Sequence, residues 1–314
     1  MPQGKGRSKT IKLKHGTPTL RAGVPRELKK GSLIIIGGHE DKSNERTILK
    51  EVAKPISHSK KNLLIVTVAT HLPKEVADEY KKVFNDLGVE NIEVLDIRTR
   101  SDAYDENNLK KLHDASVVFF TGGDQLRITS QIGGSPISIG IRELVRGGGT
   151  VVGTSAGAAA MPDTMLFAGP SDESHEISAL GMAPGLGLIE GVVIDSHFAE
   201  RGRMGRLLGA VAQNPKNLGI GIDEDTAVVV RDGTTFEVLG SGAVYVVDGT
   251  KITYSSLSER HAEGTLSIYD VRIHVLSSGD QFDLHTLRPD RSKDALVDSL
   301  GIDGKASTNG RAHS

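Results

Sequence analysis

The chain has no cysteine and no tryptophan in 314 residues, and only 12 Phe and Tyr together. Without cysteine there is no disulfide, no thiolate zinc site and no cysteine nucleophile. No apolar run approaches the ~20 residues that a membrane-spanning helix needs. A formal charge of −2 gives no overall attraction to nucleic acid or membrane. Neither a nucleic-acid partner nor a membrane is therefore expected. Glycine, by contrast, is abundant: 37 residues, about 12% of the chain against the usual ~7%.

Charge is unevenly placed. Residues 1–30 carry nine Lys and Arg and one acid, Glu27, a surplus of +8, which leaves −10 for residues 31–314. This segment reads as a basic, solvated N-terminal arm without the apolar core of a secretory signal, so a cytoplasmic protein is expected. Residues 291–314 are polar and read as a fraying tail. Between these ends, short unbroken apolar runs at 33–36, 63–68, 92–97, 116–120, 150–153 and 192–195 predict strands buried on both faces. Amphipathic helices are expected at 44–56, 73–87 and 137–146, the second opened by Pro73 and closed by Gly88. Five further strands, at 218–222, 227–231, 235–239, 243–247 and 251–254, have short turn-like links and predict an antiparallel addition. The expectation is one α/β domain over 31–290, with a mostly parallel sheet flanked by helices and C-terminal antiparallel strands.

Gly153-Thr154-Ser155-Ala156-Gly157 fits the pattern G-x-S-x-G between a buried strand and a run of alanines. A sharp strand-to-helix turn there would hold Ser155 in a strained conformation at the carboxyl edge of the sheet, with the Ala156 N–H facing a developing oxyanion. Small residues also pack at ordinary helix–sheet crossings, and it is the position after a strand that favours a nucleophile. Thr121-Gly122-Gly123-Asp124-Gln125 ends another strand, and Gly122 or Gly123 would supply a second oxyanion donor. Gly37-Gly38 is expected to make room in the cleft.

A nucleophilic serine needs a base, and the base an orienting carboxylate. Three histidines, His39, His71 and His197, fall just past carboxyl ends of predicted strands. His197 is the preferred base because it leads into Arg201, Arg203 and Arg206. For the acid, Asp223, Glu224 and Asp225 are adjacent and spacing does not choose among them, although Glu224 is the candidate. The order Ser, His, acid differs from that of α/β-hydrolases, so that fold is not assigned despite the shared elbow.

These segments, together with Asp195-Ser196-His197-Phe198 and Arg201-Gly202-Arg203, resemble the cyanophycinases, serine peptidases whose family also holds aspartyl dipeptidase. The resemblance runs from about residue 32 to 254. It implies a fold like the class I glutamine amidotransferases, with Ser155 where those enzymes usually have cysteine. It implies Ser155 as nucleophile, His197 as base and Glu224 as orienter, with Gly123 and Ala156 forming the oxyanion hole. Gln125, Asp195, Arg201, Arg203 and Arg206 would line the substrate pocket. The implied substrate is cyanophycin, a polyaspartate bearing an arginine on each β-carboxylate, cut to β-Asp-Arg dipeptides. No cofactor and no metal are implied, and a homodimer is. Apart from the resemblance, the acidic run at 172–176 reads first as a solvated loop, with the substrate guanidinium as the alternative partner of its charges. Ser196 departs from an expected glutamine, and His39 and His71 stand where small or polar residues are expected. The alternatives are an aspartyl or isoaspartyl dipeptidase and a catalytically silent binding protein on the same fold.

Overall fold

Alternating side chains decide how the central sheet is buried. In β1 (Ser32–Ile36), Leu33 and Ile35 face one apolar layer while Ile34 and Ile36 face the other. The same division recurs in β2 (Asn62–Val66) and in β4 (Ala115–Phe120), which follows β3 (Asn91–Leu95). These strands and β5 (Thr150–Thr154) pair in parallel in the order β1-β5-β4-β2-β3. The computed structural model describes residues 31–169, 180–258 and 266–290. The basic arm, the tail and the run at 172–176 lie outside them.

Helices cover both faces. On one side lie α1 (Thr47–Ala53) and α2 (Pro73–Asp86), which bury Ile48, Leu49, Val52, Tyr80, Val83 and Phe84. On the other, after α3 (Glu106–His113), α4 (Gln125–Ile132) and α5 (Pro136–Arg146) bury Ile128, Ile132, Ile137 and Ile141. The first helix is shorter than expected for a local reason. The Asp41 carboxylate accepts the N–H groups of Ser43, Asn44 and Arg46, and Arg46 takes a left-handed conformation with φ 49°. Residues 44–46 therefore serve a turn and cannot join the helix.

The second half of the chain is divided between two large sheets and two short antiparallel pairs. After α6 (Ala156–Ala159), strands β6 (Thr164–Ala168) and β7 (Gly181–Pro184) form an antiparallel pair. Strand β8 (Val192–Ser196), expected beside the other parallel strands, instead pairs in parallel with β9 (Leu218–Ile222) in a separate four-stranded sheet. Helix α7 (Met204–Gln213) packs Leu207 and Val211 against the outer side of that sheet. Strands β10 (Thr226–Arg231) and β11 (Thr235–Gly240) return antiparallel to the main sheet beside β1, whereas β12 (Val244–Asp248) pairs with β9. The expected strand at 251–254 shrinks to β13 (Tyr254–Ser255), paired with β14 (Ile268–Tyr269), because Ile252 N–H closes a turn on the Gly249 carbonyl. Strand β15 (Arg272–Leu276) completes the smaller sheet, and β16 (Gln281–Asp283) and β17 (Arg288–Asp290) extend the larger one. Both sheets contribute to one apolar layer, in which Val228, Val230 and Val238 join Ile194, Ile220 and Val244. The carboxyl ends of β1, β5, β8 and β9 thereby come to a single edge. Among the described residues, no helix is long and apolar enough to cross a membrane.

Candidate active site

Where β5 ends, Ser155 takes φ 55° and ψ −110°, a conformation that L-residues adopt only under constraint. Its N–H donates to the Ile36 carbonyl at 3.0 Å, and Ala156 begins α6 at once. The Ser155 hydroxyl donates to His197 Nε2 at 2.7 Å, and His197 Nδ1–H donates to Glu224 Oε1 at 2.7 Å. Serine, imidazole and carboxylate thus form one hydrogen-bonded line across two sheets.

The segment after β1 holds that line in register. Ile36, Gly37 and Gly38 offer successive carbonyls to the N–H groups of Ser155, His197 and Asp225, at 3.0, 2.8 and 2.8 Å. Gly37-Gly38 does more than make room, since two strand ends, at His197 and Asp225, hang from it. At Gly38 the backbone requires glycine: φ is 110°, and a Cβ would stand 2.3 Å from the His197 ring. At Gly123, φ is 141° and a Cβ would meet the Ala69 carbonyl oxygen at 2.2 Å. Its neighbour Gly122 lies directly against Ser155, where a Cβ would be 3.4 Å from Ser155 Cβ.

Tertiary contacts also sort the three adjacent acids. Asp223 accepts the N–H groups of Ala199 and Ala243 at 2.9 and 3.1 Å, and so pins the loop after His197. Asp225 accepts Asp41 N–H and Ser241 Oγ–H, both at 2.8 Å. Only Glu224 reaches the histidines: Oε1 takes His197, and Oε2 takes His39 Nδ1 at 2.8 Å. Burial pushes the His197 pKa below 6.5; the Glu224 hydrogen bond opposes that shift and the Arg201 charge adds to it. For Glu224, burial acts upward, but hydrogen bonds from His197 and His39 outweigh it and hold the carboxyl below its ordinary value.

The residues expected to line a pocket separate into two groups. Arg201 borders a cavity of about 340 Å³ that contains Ser155, His197, Gly122 and Gly123. Asp195, Arg203 and Arg206 are buried and spend their charges on one another. Arg203 Nη1 donates to Asp195 Oδ1 at 3.0 Å and to the Ser196 carbonyl at 2.6 Å, and Arg206 grips both Asp195 oxygens. Gln125 donates through Nε2 to the Leu166 carbonyl at 3.2 Å. His71 lies apart from the site, against Arg127 Nη1 at 2.9 Å.

Sequence reasoning missed a buried carboxylate. Glu40 accepts Thr154 Oγ1–H at 2.6 Å and also the Tyr80 hydroxyl, and it borders the same cavity with Lys42 and Glu79. Burial, and then the Glu40 charge, raises the Tyr80 pKa well above its usual value. The available signal was positional: Glu40 follows the end of β1, where the other functional side chains also gather. The cavity holds both signs of charge, beside a serine, an imidazole and glycine N–H groups. That combination suits nucleophilic attack on the carbonyl of a charged substrate.

A model of peptidase family S51 matches residues 33–238. The chain is 43% identical over 258 residues to the cyanophycinases of Trichormus variabilis and of a Nostoc species, covering 82% of this chain and 86% of each relative. It is 37% identical over 261 residues to the cyanophycinase of Geminocystis herdmanii, covering 83% of this chain and 96% of the relative. Among solved structures, that of a peptidase from an acI-B1 actinobacterium superposes with a TM-score of 0.61 at 20% identity, covering 82% of this chain and 98% of the other. At that identity the likeness concerns the fold.

Proposed function

The chain belongs to peptidase family S51, and from that premise we propose that it is a serine exopeptidase that degrades cyanophycin to β-Asp-Arg dipeptides. The observation that carries the mechanism is the unbroken Ser155–His197–Glu224 line, with both links at 2.7 Å. The relatives named cyanophycinase support the substrate.

Ser155 Oγ attacks an aspartate backbone carbonyl as its proton passes to His197 Nε2. Because burial lowers the His197 pKa, the imidazole is neutral and able to accept that proton at pH 7. Glu224 fixes the tautomer by taking Nδ1–H and stabilises the imidazolium that forms. The N–H groups of Gly123 and Ala156 receive the oxyanion. His197 then protonates the leaving amine, and water, deprotonated by the same imidazole, releases the acyl group. Each cyanophycin repeat carries a guanidinium and a carboxylate, and the cavity presents Arg201 and Lys42 together with Glu40 and Glu79. Arg201 is suited to a bidentate clamp on the carboxylate. Asp195, Arg203 and Arg206 support the site from beneath, and Gln125 ties the start of α4 to β6.

The test is to incubate the purified protein with insoluble cyanophycin and follow soluble products by mass analysis. Release of β-Asp-Arg is the expected result. Cleavage of Asp-X or isoaspartyl dipeptides with cyanophycin left intact would replace the substrate but keep the chemistry. An active-site sulfonyl fluoride that fails to label Ser155 would point to a binding protein instead.

A further inference from the structure

The Glu224 carboxylate is held at both oxygens by imidazoles, and only one belongs to the catalytic line. His197 Nδ1 stands 2.7 Å from Oε1 and His39 Nδ1 stands 2.8 Å from Oε2. The two rings meet edge to face with centroids 5.1 Å apart. One ligand atom from each of the three residues lies within 4.8 Å of the others. Two imidazole nitrogens and a carboxylate are a common donor set for a four-coordinate Zn²⁺ with one open position. Mg²⁺ and Ca²⁺ prefer oxygen ligands and are not suited to it.

Access and charge favour entry from one side. The His39 side chain is 71% exposed, that of Glu224 26% and that of His197 4%, so an ion arrives from solvent at His39 and Glu224 and reaches His197 last. Glu200 lies one hydrogen bond from Glu224, accepting its N–H at 3.2 Å, and its charge opposes that of Arg201, which acts on His197. His39 sits in a left-handed conformation, φ 47°, directly after the Gly38 carbonyl that holds Asp225. That backbone geometry aims its ring at Glu224.

We propose that His39, Glu224 and His197 form an inhibitory Zn²⁺ site superimposed on the catalytic line, with His39 as the residue that captures the metal. This proposal rests on the catalytic reading of Ser155, His197 and Glu224. On binding, each neutral imidazole coordinates through Nδ1 and its single proton passes by way of solvent from Nδ1 to Nε2, with no net proton released. His197 Nε2 then presents N–H to Ser155 and no longer accepts its proton. Glu224 is drawn to the ion and no longer orients the base. Removal of the metal restores both hydrogen bonds, so the inhibition is reversible.

The experiment separates the site from the activity. With Ser155→Ala as a non-turnover background, Co²⁺ is titrated as the spectroscopic probe and Zn²⁺ as its competitor. The expected result is a visible absorption band of four- or five-coordinate Co²⁺, displaced by Zn²⁺ and absent when His39→Ala is added. In the otherwise unmodified protein, Zn²⁺ is expected to stop dipeptide release and EDTA to restore it. In His39→Ala and His39→Asn, each compared with its own metal-free rate, half-inhibition should need about tenfold more Zn²⁺ or higher. Unchanged Zn²⁺ sensitivity in both variants, no Co²⁺ band in the background protein, or equal inhibition by Mg²⁺ would each overturn the proposal. If cyanophycin is not cleaved at all, the Co²⁺ titration still decides the metal site, so the two readings fail separately.

Discussion

Asp195 and His197 lie two residues apart, yet the charge clusters built around them are settled in opposite ways. Asp195 is 2% exposed and meets Arg203 and Arg206, so its charge is answered inside the protein. His197 takes φ 49°, which breaks the alternation of β8 and turns its ring toward Ser155. Its partner Glu224 stays partly open to solvent, and its line ends on a hydroxyl that faces the cavity. Charges paired within the fold hold two elements together, here β8 and the start of α7. Groups left facing the cavity are available for chemistry.

Mutation can test that contrast. Ser155→Ala should lower dipeptide release by roughly 10⁴- to 10⁶-fold with no change in urea unfolding, because it removes the attacking atom and no packing partner. Glu224→Gln comes next, at roughly 10³- to 10⁴-fold in kcat, since an amide favours the wrong His197 tautomer. Asp195→Ala should act on stability instead, costing about 3–5 kcal/mol in a denaturant titration by leaving two arginines buried without an anion. If Asp195→Ala unfolds like the unmodified protein while activity collapses, Asp195 belongs with the reacting groups and the contrast fails. Gly38→Ala should cost about 10²-fold in kcat/KM, because a Cβ at φ 110° would push the His197 ring away from Ser155. The smallest effect is on pH dependence. Catalysis needs neutral His197, whose pKa lies below 6.5, so activity should persist as pH falls through 6.5 and be lost only lower. An acid limb above pH 6.5 would show that burial does not control this base.

Much of the site was legible because its signals are local. A buried strand, two glycines and a run of alanines mark Ser155 within ten residues, and His197 stands at another strand end. The buried strands were equally readable, since unbroken apolar runs leave few other places for 33–36 or 63–66. Other features depended on distant partners. The paired sheets are one example: 192–195 looks like a continuation of the parallel sheet and 218–222 like part of an antiparallel addition, but the two pair in parallel with each other, and β9 joins β12 in a separate sheet. Glu40 gave no motif of its own and becomes part of the site through Thr154 and Tyr80, 114 and 40 residues away.

From the sequence alone came the α/β class, the absence of any cysteine to act as nucleophile, and the family resemblance, because each follows from composition or from short ordered motifs. Which of Asp223, Glu224 and Asp225 reaches His197 was decided only in three dimensions. The three side chains leave one turn in different directions, and hydrogen bonds to Ala199, Ala243, Asp41 and Ser241 occupy two of them. The same turn brings His39 to the second oxygen of Glu224 from 185 residues away, and no linear pattern records a contact between chain segments so far apart.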